Sequence, residues 1–172
     1  MTDYVIAIDP GTTESGVCIV RTEDYKPLWC EKIKNEDLFR AVCSSLRELE
    51  IQQTDCCFVI ERMYNPKAAS SHVFLTCEWI GRFDILLGML FSRNAEYVYR
   101  YEEYRALCGK EYAHNDKGVK SSLVDRFAYG QSNYGKGTKK APGWFYGFAA
   151  DAWSAYAIAV THIDILTEAV NG

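Results

Sequence analysis

A short turn joins two apolar runs near the start of the sequence. It lies within the segment Ile8-Asp9-Pro10-Gly11-Thr12-Thr13-Glu14-Ser15-Gly16. Tyr4–Ala7 lies before it, and Val17–Val20 follows it. Apolar runs of this length are typical of buried strands, and a Pro-Gly pair marks a turn between them. We therefore predict two strands joined by a tight turn, with Asp9 at the end of the first strand. An isolated Asp in this position is equally suited to starting the turn.

The apolar patterns beyond this hairpin predict an α/β domain. Strands are predicted at Tyr4–Asp9, Gly16–Arg21, Leu28–Ile33, Cys57–Glu61 and Ala95–Tyr99. Helices are predicted where apolar residues recur at helical spacing, at Asn35–Leu49, Ser70–Ser92, Arg100–Cys108, Val119–Phe127 and Phe148–Val170. Asn35 is the predicted N-cap of the first helix. A helical crossover before the fourth strand would make that strand parallel to the first, giving a mixed five-stranded sheet flanked by helices in a single domain, 1–172.

The composition is that of one globular domain, with 172 residues, 48% of them hydrophobic and 24% charged. The apolar runs are shorter than the ~20 residues that span a bilayer, and the first residues lack the features of a signal peptide. We therefore expect a cytoplasmic protein without membrane association. The seven cysteines include no Cys-x-x-Cys pair, which favours buried reduced thiols and argues against a zinc site.

Three carboxylates stand at the ends of predicted core elements. Asp9 ends the first strand, Glu61 ends the apolar run Cys57–Ile60, and Asp151 opens an apolar helix. A Glu at the end of a central strand is unfavourable unless it is paired or binds a metal. Asp151 alone would fit a first-turn acid favoured by the helix dipole. Three converging carboxylates, however, need a cation between them, and a hard divalent ion such as Mg²⁺ is the natural candidate.

Four segments taken in order resemble the RuvC-type Holliday junction resolvases of the RNase H-like nuclease superfamily. They are Ile8-Asp9-Pro10-Gly11 with Gly16, Val59-Ile60-Glu61-Arg62-Met63-Tyr64, Cys77-Glu78-Trp79-Ile80-Gly81-Arg82, and Ala149-Ala150-Asp151-Ala152 continuing to Thr161-His162. The resemblance covers nearly the whole chain. It implies an RNase H-like fold and a homodimeric endodeoxyribonuclease that resolves four-way DNA junctions by paired phosphodiester cleavage. The long helix Ser70–Ser92 is the candidate dimer interface.

The resemblance also implies roles for individual residues. Asp9, Glu61 and Asp151 would hold two Mg²⁺ ions, for which Mn²⁺ can substitute, and these ions would activate water and stabilise the leaving oxygen. Lys120 matches a basic residue that neutralises the scissile phosphate, with Lys117 as the competing choice. Tyr64 matches an aromatic residue that stacks on bases at the junction centre, although a Tyr packed on its own core is equally plausible.

Positive charge concentrates in the second half of the chain, although the net charge is −4. Between Arg93 and Lys140 there are ten Lys or Arg and six Asp or Glu. The tract Tyr129–Lys140 interleaves basic residues with Tyr and Gly, a pattern that suits contact with phosphates. We predict that Lys136, Lys139 and Lys140 contact DNA. A solvated surface loop is the alternative interpretation of the same tract.

One departure from the family pattern leaves alternatives open. The family places a fourth acid or a His three residues before the last Asp, where this chain has Phe148. If Asp151 matches the earlier member of that pair, the later member is Ser154. Asp125, Asp116 and His114 could substitute for the missing ligand only if the fold brings them near. The loss also fits a non-catalytic protein that binds branched DNA.

A second enzyme class shares the first motif. Asp9-Pro10-Gly11-Thr12-Thr13 also resembles the phosphate-binding turn of actin-like ATPases and sugar kinases. Those proteins need two related domains and a second such turn, and 172 residues leave no room for them. A fragment of an actin-like phosphotransferase is therefore the weakest of the three hypotheses.

Overall fold

Five strands form one mixed sheet in the computed structural model, which describes residues 2–63 and 70–171. The strands are β1 Tyr4–Asp9, β2 Glu14–Arg21, β3 Pro27–Lys34, β4 Cys56–Arg62 and β5 Glu96–Tyr99. Their order across the sheet is β3-β2-β1-β4-β5. β1 is antiparallel to β2 and parallel to β4, and β4 is parallel to β5. The predicted mixed five-stranded sheet is confirmed.

Five helices cover the two faces of the sheet. They are α1 Leu38–Glu48, α2 Ser71–Phe91, α3 Arg100–Glu103, α4 Asp116–Ala128 and α5 Ala150–Asn171, and α3 continues as a π-helical turn over Tyr104–Cys108. α5 packs along one face of the sheet, whereas α1 and α2 contribute to the core on the other face. None of the helices in the described ranges combines the length and apolar character that a bilayer crossing requires.

The two-residue period of a strand divides the sheet residues between these layers. In β1, Val5 and Ala7 pack in the core that contains α5, whereas Ile6 and Ile8 pack in the core that contains α1 and α2. Asp9 follows Val5 and Ala7 at the same two-residue spacing, so its side chain projects from the sheet face that α5 covers. The same alternation in β4 gives Glu61 the parity of Val59, which also belongs to the α5 core.

Asn35 does not cap the first helix, which corrects the prediction. It begins a 3₁₀ turn, Asn35–Asp37, and α1 starts only at Leu38. The Asn35 amide donates to the Gly11 carbonyl at 3.0 Å, and its oxygen accepts from the Ser15 hydroxyl at 2.6 Å. These bonds fix the turn that follows Asp9. A tertiary contact between β1–β2 and the start of α1 therefore uses the side chain that the local pattern assigned to a cap.

The expectation of reduced thiols is wrong for one pair of cysteines. Cys18 on β2 and Cys30 on β3 are directly opposite in the antiparallel register and form a disulfide. Sequence spacing did not indicate this pair because cross-strand register, not a short motif, brings the residues together. Cys43, Cys56, Cys57, Cys77 and Cys108 are free thiols.

Candidate functional site

Asp9 and Glu61 meet at the carboxyl ends of adjacent parallel strands. The register pairs Ile8 with Ile60, so the next residue of each strand starts from the same edge and the same face. Burial, and then the nearby Glu61 carboxylate, raise the pKa of Asp9 well above its usual range. Burial also raises the pKa of Glu61. Without a cation, burial and the closeness of the two carboxylates therefore favour a proton retained on the pair.

Arg100 is the counter-ion of this pair, and it was not predicted from the sequence. Its Nε lies 2.7 Å from Glu61 Oε1, and its Nη2 donates to Glu61 Oε2 at 2.9 Å. Its Nη1 lies 3.6 Å from Glu103 Oε2 and 3.5 Å from Asp116 Oδ1. A bidentate guanidinium–carboxylate contact is both strong and directional. One guanidinium thus serves three carboxylates directly and also acts on the charge of Asp9.

Glu103 is an unusual neighbour because it is fully buried and neither carboxylate oxygen has a hydrogen-bond partner. Burial raises its pKa to about 8, and Arg100 opposes that rise. A sequence signal existed for both residues. Arg100 directly follows β5, and Glu103 lies one helical turn later, so both start from the strand edge that carries Glu61. Their burial depends on tertiary packing, which the local pattern does not reveal.

Asp151 lies beside this pair but is turned to a different partner. Gly16 is directly opposite Asp9 in the β1–β2 register, and an added Cβ on Gly16 would lie 2.4 Å from the Asp151 carbonyl oxygen. The missing side chain therefore lets α5 approach β2 closely. The Asp151 carboxylate lies 2.7 Å from Lys32 Nζ. Sequence analysis did not identify Lys32 as part of the site.

Ser154 is the residue one turn along α5 that faces Asp9. Its hydroxyl stabilises the Asp9 carboxylate and lowers the pKa of Asp9, against the larger effects of burial and Glu61. Phe148 instead lies in an aromatic cluster with Phe145, Trp153 and Tyr156. Phe148 and Ser154 were the two alternative positions for the missing fourth acid. Of these two residues, Ser154 is the one that lies beside Asp9.

The proposed substitutes for the missing acid have different surroundings. Asp116 opens α4 and lies beside Arg100, so the fold brings it to the site. Asp125 accepts a hydrogen bond from the Tyr112 hydroxyl, and His114 stacks on Tyr104. Of the three, Asp116 is therefore the acid in contact with the group of charges around Arg100.

Two clefts open onto these charges, and Arg100 lines both. One, of about 520 Å³, is lined by Asp9 and Glu61. The other, of about 380 Å³, is lined by a second set of polar side chains, Asp116, Lys117, Lys120, Asp151 and Ser154. A larger cleft, of about 640 Å³, lies near α1, and its lining contains no comparable group of carboxylates. The carboxylates therefore favour the two smaller clefts, which Arg100 lines, as the functional site.

The predicted basic residues fall into two groups. Lys120 lies over the rings of Tyr134 and Trp153, at 4.0 and 4.8 Å from their centroids, and Lys136 donates to the Phe148 carbonyl at 2.6 Å. These two side chains are held by the protein. Solvent-exposed side chains form the second group, Lys117, Lys139 and Lys140. Tyr64, the predicted base-stacking residue, lies outside the described residues.

The sequence matches no family model and no curated protein. The structure resembles Thermus thermophilus RuvC in complex with a Holliday junction substrate, with a TM-score of 0.66 and 14% identity over 96% of this chain and 95% of that one. The chain has a RuvC-like fold. A second Thermus thermophilus RuvC structure gives a TM-score of 0.61 and 18% identity, with 96% of each chain covered. The mixed RNase H-like α/β sheet expected from the sequence is therefore confirmed.

Proposed function

We propose that this chain is a Mg²⁺-dependent, structure-selective endodeoxyribonuclease that resolves four-way DNA junctions by paired phosphodiester cleavage. The observation that carries the proposal is the contact between Asp9 and Glu61 at the ends of adjacent parallel strands. Ligands of open α/β sheets bind at this edge. The likeness over 96% of this chain to a RuvC that was solved with a Holliday junction substrate supports this choice of reaction class.

The donor set fits a hard divalent cation. Asp9 and Glu61 offer only oxygen ligands, and the proton that they hold in the absence of a metal is one that a cation would displace. Asp151 would join them by exchanging its contact with Lys32. When bound there, Mg²⁺, or Mn²⁺ in its place, supplies charge neutralisation and an activated water. We propose two ions because the resemblance of the sequence motifs to the RuvC-type resolvases implies two.

The remaining residues of the site orient groups and hold charge. Arg100, which fixes Glu61 in a bidentate contact, faces both clefts and can transfer part of that contact to a phosphate. The Ser154 hydroxyl orients Asp9. Lys120, held between two aromatic rings, lines the Asp151 cleft as a fixed positive charge, and the exposed Lys117 beside it remains the alternative for the scissile phosphate.

DNA contacts beyond the site are proposed for the loop before α5 and for Tyr64. Lys139 and Lys140 lie exposed between Gly137 and Pro142, which form a bridge that closes the loop. Lys136 holds the same loop against the residues that lead into α5, so its part in DNA binding is to present the two exposed lysines. Phosphate contacts of this kind position the nucleic acid without reading its sequence.

A homodimer is proposed because α2 presents an apolar stripe to solvent. Phe74, Ile85 and Met89 are each more than 60% exposed and share one helix face. Gly81 and Gly88 lie on the same face, where an added Cβ would meet nothing in this chain. Gly in a helix interior costs about 1 kcal/mol relative to Ala, so two open glycines suggest close approach of another helix. A second copy in C2 symmetry would match the two-fold symmetry of a four-way junction.

Cleavage of a synthetic four-way junction tests the function, with linear duplex of the same sequence as the substrate control. We expect paired nicks in the junction with Mg²⁺ or Mn²⁺ and none in the duplex. Asp9→Asn and Glu61→Gln should reduce cleavage at least 10³-fold, the scale of losing a group that acts in the transition state. Glu48→Gln, an exposed acid at the end of α1, is the matched control. Undiminished cutting by Asp9→Asn and Glu61→Gln would contradict the proposed site.

A non-catalytic protein that binds branched DNA is the second candidate. Ser154 at the position of an expected acid favours it, as does the contact of Arg100 with Glu61. Calorimetric titration with Mn²⁺ separates the two candidates. The nuclease predicts Mn²⁺ binding that Asp9→Asn weakens, whereas the second candidate predicts junction binding together with an Mn²⁺ titration that Asp9→Asn leaves unchanged.

A further inference from the structure

A second group of metal-binding side chains lies at the opposite end of β4 from Glu61. Its members are Cys57, Glu96 and His162, and one ligand atom from each lies within 4.8 Å of the other two. Cys57 precedes Glu61 by four strand residues, a separation of about 13 Å. The group is therefore distinct from the acidic site, and its sulfur and nitrogen donors differ from the oxygen donors there.

Three elements bring these residues together. Cys57 has the β4 parity of Val59, which packs in the α5 core, and Glu96 is paired with Val59 across the parallel β4–β5 register. His162 lies on α5, eleven residues after Asp151, which corresponds to about 16 Å along the helix. The packed interface between the sheet and α5 thus has the carboxylates at one end and this group at the other.

The distances match those that a tetrahedral ion requires. Cys57 Sγ lies 3.8 Å from His162 Nε2, and the same nitrogen lies 3.6 Å from Glu96 Oε2. A tetrahedral zinc ion with ordinary bond lengths separates its sulfur and nitrogen ligands by about 3.6 Å, and its nitrogen and oxygen ligands by about 3.4 Å. Both separations are within about 0.2 Å of those values, and Cys57 Sγ and the Glu96 carboxylate lie within 4.8 Å of each other.

We propose that Cys57, Glu96 and His162 bind a divalent transition metal of the zinc class, with water as the fourth ligand. Thiolate and imidazole ligands bind this class of metal in preference to Mg²⁺. The acidic site and this second group would therefore select different ions. The sequence argued against zinc because it contains no Cys-x-x-Cys pair, but these ligands are far apart in sequence.

Accessibility agrees with a site that takes up an ion from solvent. His162 is buried and Cys57 is partly buried, whereas half of the Glu96 side chain is exposed. Binding would tie the short edge strand β5 to β4 and to α5. Arg100 directly follows the other end of β5, and Asp151 lies at the other end of α5, so the metal would hold the framework of the acidic site without touching DNA.

Metal titration of the chelator-treated full chain tests this proposal. We expect one Zn²⁺ per chain, a Co²⁺ complex with a thiolate charge-transfer band, and a higher Tm with Zn²⁺ than with Mg²⁺. Cys57→Ser and Glu96→Gln should each weaken Zn²⁺ binding at least tenfold. Cys77→Ser, which replaces an exposed thiol on α2, is the matched control and should leave binding unchanged.

The outcome does not depend on the nuclease proposal. Asp9→Asn should retain full Zn²⁺ binding, and loss of junction cleavage would say nothing about this group. Zn²⁺ binding that survives both Cys57→Ser and Glu96→Gln would overturn the assignment, as would a Co²⁺ complex without the thiolate band. Both variants change residues that are at least partly accessible, and thermal unfolding of the metal-free proteins would check that they fold.

Discussion

At the level of single residues, Glu103 is the carboxyl group whose surroundings demand an explanation. It is fully buried, neither oxygen accepts a hydrogen bond, and its nearest cation, Arg100, is shared with Glu61 and Asp116. Removal of a carboxylate from water is costly unless it is paired and hydrogen-bonded. Glu103 therefore keeps a proton at neutral pH, and its ionisation at higher pH would destabilise the folded protein. Its packing gives this residue a pH-dependent effect on stability.

We predict that Glu103→Gln flattens the pH dependence of stability. The pKa of this carboxyl rises from an ordinary value of 4.5 to about 8 in the folded protein. The folded state then binds the proton more tightly, so stability is highest below pH 4.5 and falls as the pH rises through 8. Between pH 5 and 8 the wild type should lose on the order of 2–4 kcal/mol through this group, and the variant should not.

Urea unfolding at pH 5 and pH 8 measures this difference. Glu111→Gln, at an exposed position, is the control and should follow the wild type. Equal losses of unfolding free energy in the wild type and Glu103→Gln would show that Glu103 is already ionised in the folded protein.

At the level of elements, the close packing of α5 on β2 positions the acids. Gly16 has no side chain at the point where the α5 backbone passes, so Asp151 and Ser154 can lie beside Asp9. α5 also reaches all five strands, which makes it the largest single contributor to one of the two cores. Small movements of this helix would therefore change the site and the core together.

Gly16→Ala should destabilise the protein and disturb the site. Its new Cβ would lie 2.4 Å from the Asp151 carbonyl oxygen, so α5 or β2 must shift. We expect a loss of about 1–3 kcal/mol, the usual cost of overpacking. Chemical denaturation measures the loss, and Mn²⁺ calorimetry should show weaker binding. An unchanged Mn²⁺ affinity together with unchanged stability would mean that the helix has room to move.

The exposed stripe of α2 makes a separate prediction about assembly. Ile85→Asp should convert a dimer to a monomer, because it places a charge within the proposed interface at a side chain that is 65% exposed. Leu90→Asp is the matched control, since Leu90 is 55% exposed but lies on a different helix face. Analytical ultracentrifugation gives the mass. A dimer that persists in Ile85→Asp would place the contact elsewhere.

The elements could be predicted largely from the sequence because each depends on local periodicity. Predicted strand ends differ from the observed ones by at most two residues, and α2 was predicted to within one residue at each end. Asp9 and Glu61 were predicted as partners because parallel strand ends share an edge. Arg100 and Glu103 start from the strand edge that carries Glu61, but they were missed, as was Lys32, because their burial and contacts depend on tertiary placement. The Cys18–Cys30 pair was missed for the same reason.

At the level of the whole molecule, opposite charges are separated along the surface that would meet DNA. The net charge is −4, yet exposed lysines lie on the loop that leads into α5, close in sequence to the acidic site. A nuclease needs both, since its carboxylates repel phosphates until cations neutralise them. The lysines would therefore hold the DNA while the acids hold the metal.

Junction binding should depend on salt through these lysines. Lys139→Ala and Lys140→Ala should each reduce the slope of log K against log salt concentration by about 1, the effect of losing one phosphate contact. Binding to the synthetic junction is measured in Ca²⁺, without cleavage, across a salt series. Lys26→Ala, which removes a lysine that lies over the Trp144 ring, is the control. An unchanged slope in both loop variants would remove the loop from the DNA interface.

Because the site needs residues of α5, it can form only after α5 has been synthesised. Asp9 leaves the ribosome first, whereas Asp151 and Ser154 follow about 140 residues later. At ordinary translation speeds the interval is roughly 7–30 s. During that time the sheet face that α5 will cover is open, and the first strand has no carboxylate-bearing helix against it. The proposed nuclease site is therefore incomplete in the growing chain, which offers an apolar surface for chaperones to bind until α5 emerges.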